Sequence, residues 1–210
     1  MRVVIAEKPS VARDLARVLG ASDRRDGYLE GNGLRITWCF GHMAELVPPE
    51  AYDPGWKKWA LQTLPMLPEQ FAVQVREGAE DQMKVVTRLV REPGVEAVVN
   101  ACDAGREGEL IFRYVMQLAG VDRPTLRLWI SSLTDVAIQQ GWQNLRPGRD
   151  FDALADAARC RSEADWLVGL NATRALTCAC PDPGGVLSVG RVQTPTLAMV
   201  VARDREIEAF

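Results

Sequence analysis

Long apolar runs are missing from this sequence. No stretch approaches the ~18 residues that a membrane-spanning helix needs, and the opening MRVVIAEKPS reads as a strand rather than a signal peptide, so the expectation is a cytoplasmic chain with no membrane partner. Charge of one sign is also missing: 25 Lys+Arg stand against 28 Asp+Glu, a net −3. The total charge does not advertise a polyanion partner, so any nucleic-acid site must be local. The five cysteines are odd in number and lack C-x-x-C spacing, which removes the support for a disulfide framework or a structural zinc site. Histidine is nearly absent, with His42 alone.

What is present is an ordinary globular composition, 47% hydrophobic and 25% charged over 210 residues, enough for one large domain or one domain and part of another. Its most informative stretch is VEAVVNACDAGREGE, Val95 to Glu109. Val95, Ala97, Val98, Val99 and Ala101 form a short run suited to a strand buried on both faces of a parallel sheet. The run ends in acid at Asp103, Glu107 and Glu109. Leu110, Ile111, Tyr114, Val115 and Leu118 then recur at helical spacing up to Gly120. Acids in a first helical turn often only serve the dipole and the free N–H groups. Here a second unit has the same design. Arg2 to Ala6 is another apolar run ending in a carboxylate, Glu7, followed by Lys8 and a helix that opens on Pro9 and closes at Gly20.

If both strands are parallel members of one sheet, Glu7 and Asp103 leave the same edge and can meet in the crevice where α/β folds gather ligands. Paired carboxylates repel unless they share a proton or a hard cation. Mg²⁺ suits the pair best, because it takes one or two carboxylates and completes its shell with water and phosphate oxygens. Lys8 is placed to meet a phosphate, or equally to be an exposed lysine at a helix start.

Between these units, Gly27 to Gly41 reads as a hairpin turning at Asn32-Gly33. Residues 48–68 form an irregular Pro-rich and aromatic loop. Its Trp56-Lys57-Lys58-Trp59 run either stacks bases and meets phosphates or is a loop pinned by two tryptophans. A helix is expected over Ala79 to Arg91, a strand at Leu126, Leu128 and Ile130, and a further helix from near Thr134. The α/β domain closes near Pro147-Gly148, giving domains 1–150 and 151–210. The second is mainly helical, over 151–178 and Leu197 to Glu208, with a loop at Gly184 to Pro195 between them. In that loop Arg191 and Gln193 could hold phosphate and base edges, or be solvated.

With Glu7-Lys8-Pro9-Ser10, FGHMAEL at 40–46, DAGREGE at 103–109, EADWLVGLNATRAL at 163–176 and SVGRVQTPTL at 188–197, the chain resembles type IA DNA topoisomerases of the bacterial topoisomerase III kind. The likeness spans essentially the whole chain. It implies an α/β Toprim domain, with a parallel-rich sheet flanked by helices, followed by the start of a helical domain that receives single-stranded DNA. It further implies that Glu7 is the general acid/base and a Mg²⁺ ligand, that Lys8 orients the scissile phosphate, that Asp103 and Glu107 complete the acid cluster, and that His42 lies near the active site. Arg174 and Ser188, Val189, Gly190, Arg191, Val192 and Gln193 would line the single-strand groove, with Lys58 as a further contact. Single-stranded DNA is the implied partner, met by a monomer.

The sequence departs from the family pattern twice. Gly105 stands where these enzymes usually carry a second aspartate. The nucleophilic tyrosine of the family has no counterpart, since Tyr28, Tyr52 and Tyr114 lie in other contexts, and the expectation is therefore an N-terminal fragment. Two other readings stay open: a Toprim nuclease or primase-like enzyme, and a non-catalytic single-strand-binding module.

Overall fold

The computed structural model describes every residue except Pro183. The chain divides into two compact units, Met1–Glu45 with Val73–Arg159, and Leu46–Ala72 with Cys160–Phe210.

In the first unit, β1 (Arg2–Ala6) and the strand Ala97–Ala101 lie side by side and parallel, with Val4 opposite Val99 and Ala6 opposite Ala101. Their β-branched residues are buried on both faces, as a strand at the middle of a covered sheet requires. The strands β2 (Asp23–Arg25), β3 (Tyr28–Gly31) and β4 (Leu34–Trp38) continue the sheet on one side, while Ala44–Leu46 (β5) and Val73–Val75 (β6) form a separate two-stranded ribbon. With Ala97–Ala101 as β7, Thr125–Arg127 as β8 and Arg146–Pro147 as β9, the order across the main sheet is β2-β3-β4-β1-β7-β8-β9. Strands β4, β1, β7 and β8 are mutually parallel. The edges turn antiparallel.

The period-2 alternation of β1 and β7 sends successive side chains to opposite faces and so builds two cores. Val3, Ile5 and Val98 meet Met83, Val86, Leu89 and Val90 of α3 (Glu80–Arg91) and Ile111, Phe112 and Val115 of α4 (Arg106–Ala119). Val4, Ala6 and Val99 meet Ala12, Leu15 and Leu19 of α1 (Pro9–Leu19) and Ile138 of α5 (Asp135–Gln143). Each helix follows its sequence signals. Pro9 opens α1 and Gly20, at φ +78°, closes it, while α3 carries Glu80 and Asp81 in its first turn and Arg88 and Arg91 in its last. The Asn32-Gly33 turn has positive φ at both residues, as a tight hairpin between twisted strands needs.

The second unit holds the short helix α2 (Pro49–Tyr52), most of the long helix α6 (Asp152–Ala179) and α7 (Gln193–Glu208). Residues 46–72 belong here, a stretch that the sequence reading kept within 1–150, because its aromatics close around α6. The Trp166 ring stands edge-on to Tyr52 at 5.8 Å and to Phe71 at 5.5 Å, and its Nε1 donates to the Val47 carbonyl. Asn171 makes paired bonds with the Met66 backbone, accepting at 2.6 Å and donating at 3.1 Å. Helix α7 begins at Gln193, inside the stretch to Pro195 that is expected to be loop. Proline is tolerated in a first turn, where its missing N–H has no partner to lose.

Candidate active site

Three parallel strands deliver their chain ends to one edge of the sheet. Past β1, Glu7 is buried at 8% exposure. Past β4, the Cys39 N–H donates to the Ala6 carbonyl and the Gly41 N–H to the Glu7 carbonyl, so that the chain leading to His42 stays beside the end of β1 as far as Gly41. Past β7, the Asp103 N–H donates to Glu7 Oε2 at 3.1 Å. The two acids read from the sequence are thus adjacent at the sheet rim.

The other candidates gather here as well. Lys8 Nζ stands 3.9 Å from Glu7 Oε1 and is largely exposed, free to reach a phosphate. His42 Nε2 and Glu107 Oε2 are 3.0 Å apart. Glu107 is thereby directed toward the histidine, and among the described residues no group of three His, Cys, Asp or Glu side chains is close enough together to hold a metal ion. Glu7 and Asp103 are the two acids at the rim that could hold a cation of the Mg²⁺ kind, with water and phosphate oxygens as the remaining ligands.

Beneath this rim lies a charged network that the sequence reading did not identify. Glu109, 1% exposed, accepts from Asn100 Nδ2 at 2.9 Å and is ion-paired with Arg127, whose Nε stands 2.7 Å away, and with Arg113, whose Nε stands at 3.5 Å. Arg127 is itself 1% exposed and donates to the carbonyls of Asn100, Cys102, Leu128 and Asp103, with Nη1 to Cys102 and Nη2 to Asp103 at 2.6 Å each. Burial pulls its pKa below the usual guanidinium value, an effect that Glu109 opposes. The ring pair Trp129–Phe151 lies against the guanidinium, with centroids 5.0 and 6.0 Å from its carbon. One signal for this network was in the sequence. Asn100 and Arg127 interrupt two apolar strands at paired positions, and buried polar groups in such places require partners.

The buried Cys102 thiol has its pKa pushed well up, first by its contact with Cys39 and then by burial, so Cys102 is no nucleophile candidate at neutral pH. Gly105 has an extended backbone, and a Cβ there meets nothing within 4 Å. Gly105→Asp is accordingly expected to leave thermal stability unchanged within about 0.5 kcal/mol while raising divalent-cation affinity, as read by calorimetric titration of Mg²⁺.

The residues expected to meet DNA lie in the second unit. Gln193 Nε2 donates to Ser188 Oγ at 2.6 Å, the Val189 N–H donates to Thr173 Oγ1 at 2.9 Å, and the Gly190 N–H donates to Thr194 Oγ1 at 3.0 Å. This pins the loop 188–193 onto α6. Arg191 is bound to Asp165 at 2.6 Å, which offsets its charge, while Val192 and Lys58 are exposed. Arg174 lies under the surface, at 4% exposure, donating to the Trp56 carbonyl.

A mainly parallel sheet whose neighbouring strand ends join a glutamate to an aspartate is a Toprim arrangement, and the chain belongs to that family: the Toprim domain model matches residues 2–133. A second family model, described as DNA topoisomerase, matches residues 149–210. Over 208 residues, 99% of its length, the chain is 50% identical to DNA topoisomerase 3 of Bacillus cereus and 48% identical to that of Bacillus subtilis. It spans 28% of the length of each of these curated relatives. Among solved structures, full-length topoisomerase I from Thermotoga maritima shares the fold at TM-score 0.68 and 23% identity, over 99% of this chain and 31% of that one. The likeness to type IA topoisomerases and the α/β fold read from the motifs are borne out.

Proposed function

We propose that these residues supply the acid cluster and part of the single-strand groove of a type IA DNA topoisomerase. The observation that carries the proposal is the Asp103 N–H bond to the Glu7 carboxylate, which sets both acids at one rim. A bound Mg²⁺ would neutralise charge on the scissile phosphate. Lys8 orients that phosphate. Glu7 delivers a proton to the departing 3′ oxygen and recovers it when the strand is resealed.

The attacking tyrosine comes from outside this chain in this reading. Tyr28 carries Arg35 and Arg88 over its ring, the Tyr52 hydroxyl accepts from Ala72 N, and Tyr114 is buried. The 210-residue chain with Mg²⁺ is expected to bind single-stranded DNA with a steep salt dependence and not to relax supercoils.

Paired titrations test the division of labour. Asp103→Ala is expected to weaken Mg²⁺ binding at least tenfold, as loss of a metal ligand should, with little change in oligonucleotide binding. Gln193→Ala is expected to show the opposite pattern. The reverse ordering contradicts the proposal. Nicking of single strands by the chain alone that is lost in Glu7→Gln favours a nuclease.

A further inference from the structure

Within the α/β unit, α3, α4 and β6 leave an open cleft of about 480 Å³ whose lining includes Val75, Met83 and Leu118. Met83 belongs to the core under the sheet, and Val75 and Leu118 pack against that core while only half-buried, so the floor of the cleft is core surface continued into open space. The wall is cationic. Lys84, Arg88 and Arg91 are exposed and follow one another on α3 at spacings of four and three residues, which sets them in a row of about 10 Å on one helix face. Leu118 lies in the last turn of α4, whose first turn carries Glu107, so this end of the cleft stands about 16 Å along the helix from the acid rim.

The chain as a whole is net −3, yet among the described residues Glu80 is the one acid that lines this cleft. Lys84 is held by Asp81 at 2.7 Å, an exposed pair that contributes little. Neither arginine has a carboxylate partner among the described residues: Arg91 donates its Nε to the Ala119 carbonyl at 2.9 Å, and Arg88 lies over the Tyr28 ring at 5.9 Å. An apolar floor walled by unpaired cations reverses the protein's charge locally and complements a ligand that joins apolar groups to negative ones. A phosphate chain supplies the charge but leaves Val75, Met83 and Leu118 uncovered, and no aromatic ring among the described lining residues offers a base a stacking partner. An acidic peptide with aliphatic side chains supplies both halves.

We infer that the cleft docks a short acidic segment of a partner protein, its aliphatic side chains on Val75, Met83 and Leu118 and its carboxylates on Lys84, Arg88 and Arg91. Glu80, at the start of α3, repels acids from that end, so the carboxylates gather toward Arg91. The cation row matches about three to four residues of extended peptide. This surface shares no residue with the acid rim or the single-strand groove, and gives the α/β unit a protein partner in addition to the DNA proposed above.

The test is fluorescence anisotropy of the 210-residue chain with a labelled peptide, DEDLLDED, at about 0.15 M salt, where distant charges are screened. Wild type is expected to bind it saturably below about 1 mM. Replacing both leucines with serine, or every acid with its amide, is expected to weaken binding about tenfold. Lys84→Glu combined with Arg88→Glu is expected to weaken the peptide about tenfold while oligothymidylate affinity stays within about twofold. Arg13→Glu, on α1 at the other face of the sheet, is expected to leave peptide affinity unchanged. Circular dichroism melting establishes that each variant is folded. No saturable binding by wild type, wild-type affinity for either altered peptide, or an equal loss in Arg13→Glu overturns the docking site. Retained peptide binding in the folded double variant overturns it too, and an equal loss of oligothymidylate there makes the row a nucleic-acid surface instead.

Discussion

Arg127→Met is expected to lower the unfolding free energy of the α/β unit by about 3–5 kcal/mol, the range for breaking a buried ion pair on one side. The reason lies in what the guanidinium satisfies. It is the main counter-charge of a carboxylate that is 1% exposed, and it closes four backbone carbonyls at the ends of β7 and β8. Glu109→Met should also destabilise, since it strands the cation. The double variant separates the two contributions. If the ion pair were the whole effect, replacing both partners with apolar groups would restore most of the stability. Because the four carbonyls stay open, recovery is expected to be partial, with a coupling of about 1–3 kcal/mol in the double-mutant cycle. Denaturant unfolding of the four proteins measures it, and full recovery in the double variant would show the carbonyl contacts to be unimportant. Metal affinity should fall as well in Arg127→Met, since Nη2 holds the Asp103 carbonyl in place.

Gly108→Ala carries the second large effect. The first turn of α4 folds back so closely on the strand end that a Cβ on Gly108 would overlap the Asp103 carbonyl oxygen and lie 2.9 Å from the Asp103 nitrogen. Neither atom is the tip of a flexible side chain. The backbone of the acid turn must move, at a cost of about 3 kcal/mol, the upper end of ordinary overpacking penalties. That same nitrogen donates to Glu7, so the shift separates the two acids. The expected result is a folded protein, less stable by urea titration, whose Mg²⁺ affinity falls by more than tenfold, since even a second-shell defect costs that much. Unchanged metal binding would mean that the turn does not position Asp103.

The parts of this fold that were legible in sequence are those where several local signals agree. β1 and β7 are β-branched runs closed by acid and followed by glycine- or proline-marked helices, and they stand where the pattern puts them, parallel and adjacent. The hairpin was readable from Asn32-Gly33 because only residues tolerant of positive φ suit that turn. The edge strands β2 and β9 were not. Asp23–Arg25 and Arg146–Pro147 are short, polar and exposed, so no buried face imposes a period.

Long-range pairing was equally hidden. Nothing local tells that Arg127 points into a buried carboxylate from position 109, or that Glu107 faces His42, because both depend on which chain segments the sheet brings together. The sequence separation of Trp166 from Tyr52 and Phe71 explains likewise why residues 46–72 read as a loop of the first domain, although they form one unit with α6.

The claim that Glu7 and Asp103 hold one cation between them is tested most directly with Mn²⁺, whose binding to the 210-residue chain can be followed by electron paramagnetic resonance. Wild type, Glu7→Gln, Asp103→Asn and the double variant should be titrated side by side. A shared ion predicts that each single variant binds at least tenfold more weakly, and that the double variant is little worse than either. Wild-type affinity in either single variant, or losses that simply add in the double, would contradict it.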